Sequence, residues 1–407
     1  MQNLEVGQIL FLKKIKCLLL NTVLIFTAIL CHSEYVYGQG DDLPIRDQTK
    51  IILQSKILNE KRVLWIYTPT SYSTSNEKYP VLYLLDPDLN FAYVTELEKF
   101  LSDRYRIPQL IIVGIVNTDR VRDFTPIHSL IFNGKVDSSL LNTGGGNNFL
   151  TFVKDEVIPY VEKNYRTEPY RILEGHSLGG LFAIYCKEST PELFQSEIVI
   201  SPAIYGGNLQ ILSQFATFMY QHPKLSGYMP VSIGDEPGGK LAVDSLIRQL
   251  KTSAPASFKW QFTAYPSEDH FSVGYKSMYD GLRFIYSDWF INPQDTNAVK
   301  SYKDIEQHFA FLSKQYGYKI MPGEDFINDC GYQRLNGGHI EQAIEIFREN
   351  IKNHPNSSNV YDSMGEAYMK NGEQDLAIKN YEKSLLLNPD NENAKEILKK
   401  LKAPKDK

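Results

Sequence analysis

Apolar residues along the chain fall into short continuous runs separated by longer amphipathic stretches. Two β-rich runs, Ile51–Leu58 and Arg62–Tyr67, predict an antiparallel start. Pro80-Val81-Leu82-Tyr83-Leu84-Leu85 is apolar throughout, the pattern of a strand covered on both faces, and Leu110–Val116 repeats it. A helical pattern covers Val94–Leu101 between them. After a polar, Gly-rich stretch from Asn117 to Asn147, helical spacing returns from Phe149 to Tyr160. The order then repeats. Strands are predicted at Arg171–Glu174, Glu197–Ile200, Met229–Ile233 and Phe258–Tyr265. Helices are predicted at Leu178–Cys186, Leu209–Met219, Lys240–Leu250 and Val273–Phe290. Such alternation implies an α/β fold with a mainly parallel sheet and helices on both faces, and active sites of such sheets lie beyond the carboxyl ends of the strands.

The pattern changes after Tyr316. Gly331 aligns with Gly365, Gly338 with Gly372, Ala343 with Ala377, Phe347 with Tyr381 and Pro355 with Pro389. The common offset is the 34-residue tetratricopeptide period. Small residues let paired helices approach, an aromatic fills the gap and proline ends the second helix. Val299–Tyr316 reads as a linking helix and Asn393–Leu401 as a capping helix. Two repeats fall below the three or so that stand alone, so they are expected to pack on the preceding domain or its linker.

Composition narrows the class. Hydrophobic residues make up 43% and charged residues 22%, which excludes a wholly disordered chain. A net charge of −5 argues against a nucleic-acid partner. Lys13, Lys14 and Lys16 precede an apolar run from Cys17 to Leu30, the length of a signal h-region and short of the ~20 residues that span a bilayer. Val36-Tyr37-Gly38 offers small residues at −3 and −1 of a cleavage site before Gln39. The expectation is an exported protein, periplasmic or extracellular, with no membrane segment after cleavage. Losing three Lys and two Glu takes the mature charge from −5 to −6. Cys186 and Cys330 remain and are expected as buried free thiols. No Cys/His spacing suggests a metal site, and no cofactor is expected.

Gly175-His176-Ser177-Leu178-Gly179 is a GxSxG motif at a strand-to-helix junction. The tight turn needs flanking residues without side chains, which points to Gly175 and Gly179, and it lifts the Ser177 hydroxyl above the sheet edge. The Leu178 N–H then faces a developing oxyanion. Serine is a weak nucleophile and needs a base, and the chain order in this context is Ser, acid, His. His270, in Ser267-Glu268-Asp269-His270-Phe271, follows the last predicted strand. The acid belongs after Ile233, where Asp235 and Glu236 are adjacent and periodicity does not choose between them; Asp269 is a further candidate. The second oxyanion donor is expected from Asp86-Pro87-Asp88, at Asp88, because Pro87 lacks an N–H.

Leu84-Leu85-Asp86, the strand Ile111–Ile115 with Asn117 and Arg120, Arg122-Asp123-Phe124-Thr125-Pro126 and Gly175–Gly180 together resemble the putative esterase family, which includes esterase D, enterobactin and bacillibactin esterases, feruloyl esterases and mycolyltransferases. The resemblance covers roughly residues 45–290. It implies an α/β-hydrolase fold, ester hydrolysis, Ser177 as nucleophile, His270 as base, Glu236 as the favoured acid, and Asp88 and Leu178 as oxyanion donors. The chain departs from the family at Pro87, where glycine is usual. The implied partner is a small-molecule ester, an acylated carbohydrate or a trilactone siderophore; Arg120, Arg122 and Lys135 are the cations that would receive an anionic siderophore. The organisation read from the chain is a signal peptide at 1–38, the hydrolase at 39–295, a linker helix at 296–323, and two repeats with a capping helix at 324–407. The repeats are read either as a groove for a protein partner or as a stabilising appendage. A non-catalytic adaptor and an acyltransferase are the competing readings.

Overall fold

The computed structural model describes residues 48–132, 135–205, 209–293, 295 and 298–403; the expected signal segment, with Cys17 and Cys31, lies outside the described residues. Among the described residues ten strands follow in chain order: β1 Gln48–Gln54, β2 Lys61–Tyr67, β3 Tyr79–Leu85, β4 Ile111–Ile115, β5 Ile131–Phe132, β6 Lys135–Val136, β7 Thr167–His176, β8 Ser196–Ile200, β9 Gly227–Ile233 and β10 Phe258–Ala264. Eight form one sheet in the order β1-β2-β4-β3-β7-β8-β9-β10, and β5 and β6 make a separate hairpin. β1 pairs β2 and β2 pairs β4 antiparallel; the remaining pairs of the large sheet are parallel. Every residue of β3, β4 and β8 is buried, as strands covered on both faces require.

Strand alternation divides the core in two. Val81, Tyr83, Leu85 and Val113 point to one face, Leu82, Leu84 and Ile112 to the other. On the second face lie helices α1 (Pro87–Ser102) and α8 (Val273–Ile285), which contribute Phe91, Val94, Leu97, Met278 and Leu282. On the first lie α5 (Leu178–Ser189), α6 (Leu209–Gln221) and α7 (Pro237–Ser253), through Phe182, Phe215 and Leu246. Each such side chain, once buried, contributes about 1.5–3 kcal/mol of transfer free energy.

Two predicted helices differ from the expectation. The run read as Phe149–Tyr160 consists of α3 (Gly146–Phe152), a π-turn over Val153–Val157 and α4 (Ile158–Asn164). Pro159 has no N–H and its ring crowds the preceding turn, which the wider π-turn relieves. The helix beginning at Val273 ends at Ile285, short of Phe290. Beyond it Tyr286 and Trp289 turn inward and pack on Tyr316, with ring centroids 5.2 and 5.9 Å away. The polar stretch after Asn117 holds a short helix, α2 (Arg120–Phe124), besides the β5–β6 hairpin.

The C-terminal part is all helical: α9 (Tyr302–Tyr316), α10 (Glu324–Asn336), α11 (Ile340–Asn353), α12 (Ser358–Lys370), α13 (Gln374–Leu387) and α14 (Glu392–Leu401). Both bounds of α12 and α13 are those of α10 and α11 moved by 34 residues, one tetratricopeptide period. α9 buries Ile305, Phe309, Leu312 and Tyr316 in the same cluster as Ile198 and Leu282 of the sheet domain, and Phe326 and Ile327 of the first repeat continue it. Tyr105 donates to Asp329 at 3.1 Å, and Arg334 Nε to the Val299 carbonyl at 2.7 Å. The repeats therefore rest on both the linker helix and the sheet domain.

Candidate active site

Ser177 stands between β7 and α5 with φ 60° and ψ −117°. Such a left-handed backbone costs a residue with a Cβ about 1–3 kcal/mol. Main-chain bonds hold it there. The Ser177 N–H donates to the Ile200 carbonyl at 2.9 Å, and its own carbonyl accepts from Leu181 at 3.1 Å and Ala203 at 2.9 Å. The turn is tight: a Cβ on Gly175 would lie 2.1 Å from the Gly179 carbonyl oxygen, and one on Gly180 would lie 3.0 Å from that of Ile200. A Cβ on Gly179 would make ordinary contacts only, with the Leu85 side chain at 3.4 Å and Asp86 Oδ2 at 3.7 Å. The second sterically demanding position is thus Gly180, a correction to the sequence expectation for Gly179.

Glu236 caps α7 just beyond β9, with Pro237 as the first helical residue. Its Oε2 lies 2.6 Å from His270 Nδ1. Its Oε1 accepts from Ser201 Oγ at 2.6 Å and from the Gly234 N–H at 3.2 Å. Burial works to raise the Glu236 pKa, but the hydrogen bonds from His270 and Ser201, the His270 charge and the Gly234 amide outweigh it and hold the carboxyl below its ordinary value.

The other two acids go elsewhere. Asp235 is exposed, and its N–H donates to the Glu268 carbonyl at 2.6 Å. Asp269 closes its own turn, accepting from the Phe271 and Ser272 amides at 2.9 and 2.8 Å. Of the three carboxylates weighed from sequence, the structure brings Glu236 to His270. It does not bring Asp235 there.

His270 packs on His176, ring centroids 4.7 Å apart, so its imidazole lies beside the residue that precedes Ser177. Among the described residues Ser177 Oγ makes no hydrogen bond; such bonds are often long before substrate binds.

The loop after β3 carries a second strained residue. Asp86 has φ 50° and ψ 47° and caps α1, Pro87 occupies the first helical position and Asp88 the second. Proline suits that position, where an N–H would have no helical partner. The amides of Asp88 and Leu178 both belong to first turns, whose N–H groups lack intrahelical acceptors. The buried Asp86 carboxylate receives Arg120 Nε at 2.8 Å and Arg120 Nη2 at 2.9 Å, together with Asn117 Nδ2. Arg120 Nη2 also donates to the His176 carbonyl at 3.2 Å, so one guanidinium ties the α1 loop to the Ser177 turn.

These contacts revise the sequence reading of the cations. Arg120 is held by Asp86. Arg122 pairs with Glu60 and Asp123, each at 2.7 Å. Lys135 is exposed on the β5–β6 hairpin. Ser201, buried and at φ 42°, carried no motif that would have marked it. A cleft of about 400 Å³ between α1 and α8, lined by Leu97, Phe100, Tyr275, Lys276, Tyr279 and Asp280, includes none of the site residues. Among the described residues no group of three or more His, Cys, Asp or Glu side chains converges as a metal-binding set.

Residues 55–261, just over half of the chain, match the family described as "Putative esterase". The chain belongs to this family. Residues 358–391, the second repeat, match the tetratricopeptide repeat. Among curated proteins the chain is 29% identical over 133 residues to the uncharacterized protein YbbA of Bacillus subtilis, covering 32% of this chain and 52% of that one. It is 30% identical over 175 residues to the ferri-bacillibactin esterase BesA of the same organism, covering 40% and 61%. The chain therefore spans between half and two thirds of the length of these relatives. An IroE-like serine hydrolase from Shewanella oneidensis superposes with a TM-score of 0.67 at 27% identity, covering 76% of this chain and 99% of that one.

Proposed function

We propose that this family member is an exported serine carboxylic-ester hydrolase acting through an acyl-enzyme on Ser177. The observation that carries the proposal is the Glu236–His270 contact at 2.6 Å beside the Ser177 turn. Glu236 on Nδ1 selects the tautomer whose Nε2 is free to accept a proton. In the first step His270 takes the Ser177 proton as Oγ bonds to the ester carbonyl carbon. The carbonyl π pair moves onto oxygen, where the Leu178 and Asp88 amides stabilise it. Collapse breaks the ester C–O bond, and His270 returns the proton to the departing alcohol. Water then repeats the sequence on the acyl-serine and releases the acid.

Family membership and the names of the relatives support the reaction class. A siderophore lactone is the substrate that BesA's name makes worth testing first, although Arg120 and Arg122 are already engaged in ion pairs and provide no ready anion pocket. Export rests on the N-terminal pattern and is tested by sequencing the mature terminus, expected at Gln39. Turnover of p-nitrophenyl acetate by the full chain, lost in Ser177→Ala, tests the reaction; equal rates for the two proteins would favour the adaptor reading, in which the repeats bind a protein partner and the sheet domain is inert.

A further inference from the structure

His176 has no role in the chemistry above beyond its place in the motif. Its ring lies 4.7 Å from that of His270 with the planes 37° apart. Strand alternation puts it on the same face of β7 as Ile172 and Glu174, under α1 and α8. Its carbonyl is gripped by Arg120 and its Nε2 is buried without a partner. The charged and titratable groups facing it are His270 ahead of α8, Asp86 at the head of α1, Arg120 of α2 and Glu236 ahead of α7. Burial, with the His270 and Arg120 charges adding to it, outweighs the two carboxylates and brings its pKa down to about 4. The ring is therefore uncharged throughout the neutral range, while its neighbour is the group that would gain a proton in the reaction.

We propose that His176 is a positioning residue for His270: its neutral ring is the wall that keeps the His270 imidazole in plane with Glu236, and its π face supports the imidazolium formed when Ser177 gives up its proton. The proposal rests on the serine-esterase reading. It assigns the role to the ring itself and none to its nitrogens, which separates it from a second proton carrier.

The test compares His176→Phe and His176→Leu in the full chain. The readouts are p-nitrophenyl acetate kinetics across pH, fluorophosphonate incorporation to count intact sites, and NMR titration of the His270 ring. With phenylalanine, kcat should stay within about threefold of the parent. With leucine, kcat should fall roughly five- to tenfold at nearly constant KM, and the NMR titration of the His270 ring should differ from the parent's as the π support is lost. A phenylalanine variant as impaired as the leucine one would overturn the proposal in favour of a polar or proton-carrying role. So would a leucine variant with unchanged kcat and unchanged titration. The titration needs no turnover: an inactive parent would sink the esterase reading, while the ring contact would still stand or fall on the leucine shift.

Discussion

The sheet domain and the repeat module handle left-handed backbone differently. In the repeats it is given to glycine: Gly338 and Gly372 end equivalent helices at φ 79° and 80°, and Gly317 ends the linker helix at φ 76°. In the sheet domain Gly144 and Gly227 also adopt it, but among the described residues it falls as well on Asp86, Ser177 and Ser201, residues with side chains, each at the carboxyl end of a strand, and on Asn59 and Tyr105 in loops away from the site. Glycine adopts this conformation at no steric cost, which suits a module of stacked helices. A strained serine or aspartate is retained only where surrounding contacts over-determine it, and those three residues lie among the Ile200, Glu236 and Arg120 contacts of the candidate site. The repeats are built from local preference, and the site is built against it.

The contrast can be broken most sharply at Glu236. Glu236→Gln should lower kcat/KM for p-nitrophenyl acetate by about 10³–10⁴ while leaving the fold intact, whereas Asp235→Asn should stay within about twofold. Equal losses would mean that the acid is misassigned. Next is Ser201→Ala, which removes a hydrogen bond to the ionised Glu236 and should cost about 1.5–3 kcal/mol of transition-state stabilisation, a roughly 10- to 100-fold fall in kcat. A rate unchanged from the parent would make that strained serine merely structural.

In the repeats the effect should appear in stability and leave the rate per active site alone. A Cβ on Gly331 would lie 2.3 Å from Phe347, against 3.0 Å for the equivalent Gly365 and Tyr381. Gly331→Ala should therefore destabilise the C-terminal helices by about 1–3 kcal/mol and Gly365→Ala by less, as read by hydrogen exchange. The reverse order would contradict the packing.

The smallest effect concerns Glu174, buried in β7 with neither carboxylate oxygen partnered. Burial, and then the Asp86 charge, raises its pKa well above the usual value. The folded state therefore holds this proton more tightly than the unfolded chain. Its stabilising contribution is complete below the ordinary carboxylate range, near 4.3, and is lost as pH rises toward the folded value. Glu174→Gln should gain thermal stability relative to the parent between pH 5 and 8, by a margin that widens with pH. Parallel melting curves across that range would show that the carboxyl is not protonated in the fold.

Legibility followed the same division. The period of the repeats was readable because small residues, aromatics and prolines recur at a fixed offset and each acts on its immediate neighbours. The central strands were readable because burial on both faces leaves continuous apolar runs such as Pro80–Leu85. Ser177 and His270 could be named from motif and order. The choice between Asp235 and Glu236 could not be made by periodicity, because it turns on the contacts of Glu236 with Ser201 and His270, which lie on other loops. Ser201 left no trace, since a lone serine after a strand is indistinguishable from a turn residue. Arg120 was visible as a cation, but its partner Asp86 lies on another loop, so its work in joining two turns appears only in three dimensions.

In the proposed mechanism Ser177 is a hydroxyl activated by His270 and Glu236. Incubating the folded full chain with a fluorophosphonate probe and mapping the adduct by peptide mass spectrometry tests it most directly. A single adduct is expected on Ser177, forming far more slowly in Glu236→Gln. An adduct on another residue, or none on Ser177 in folded protein, would contradict it.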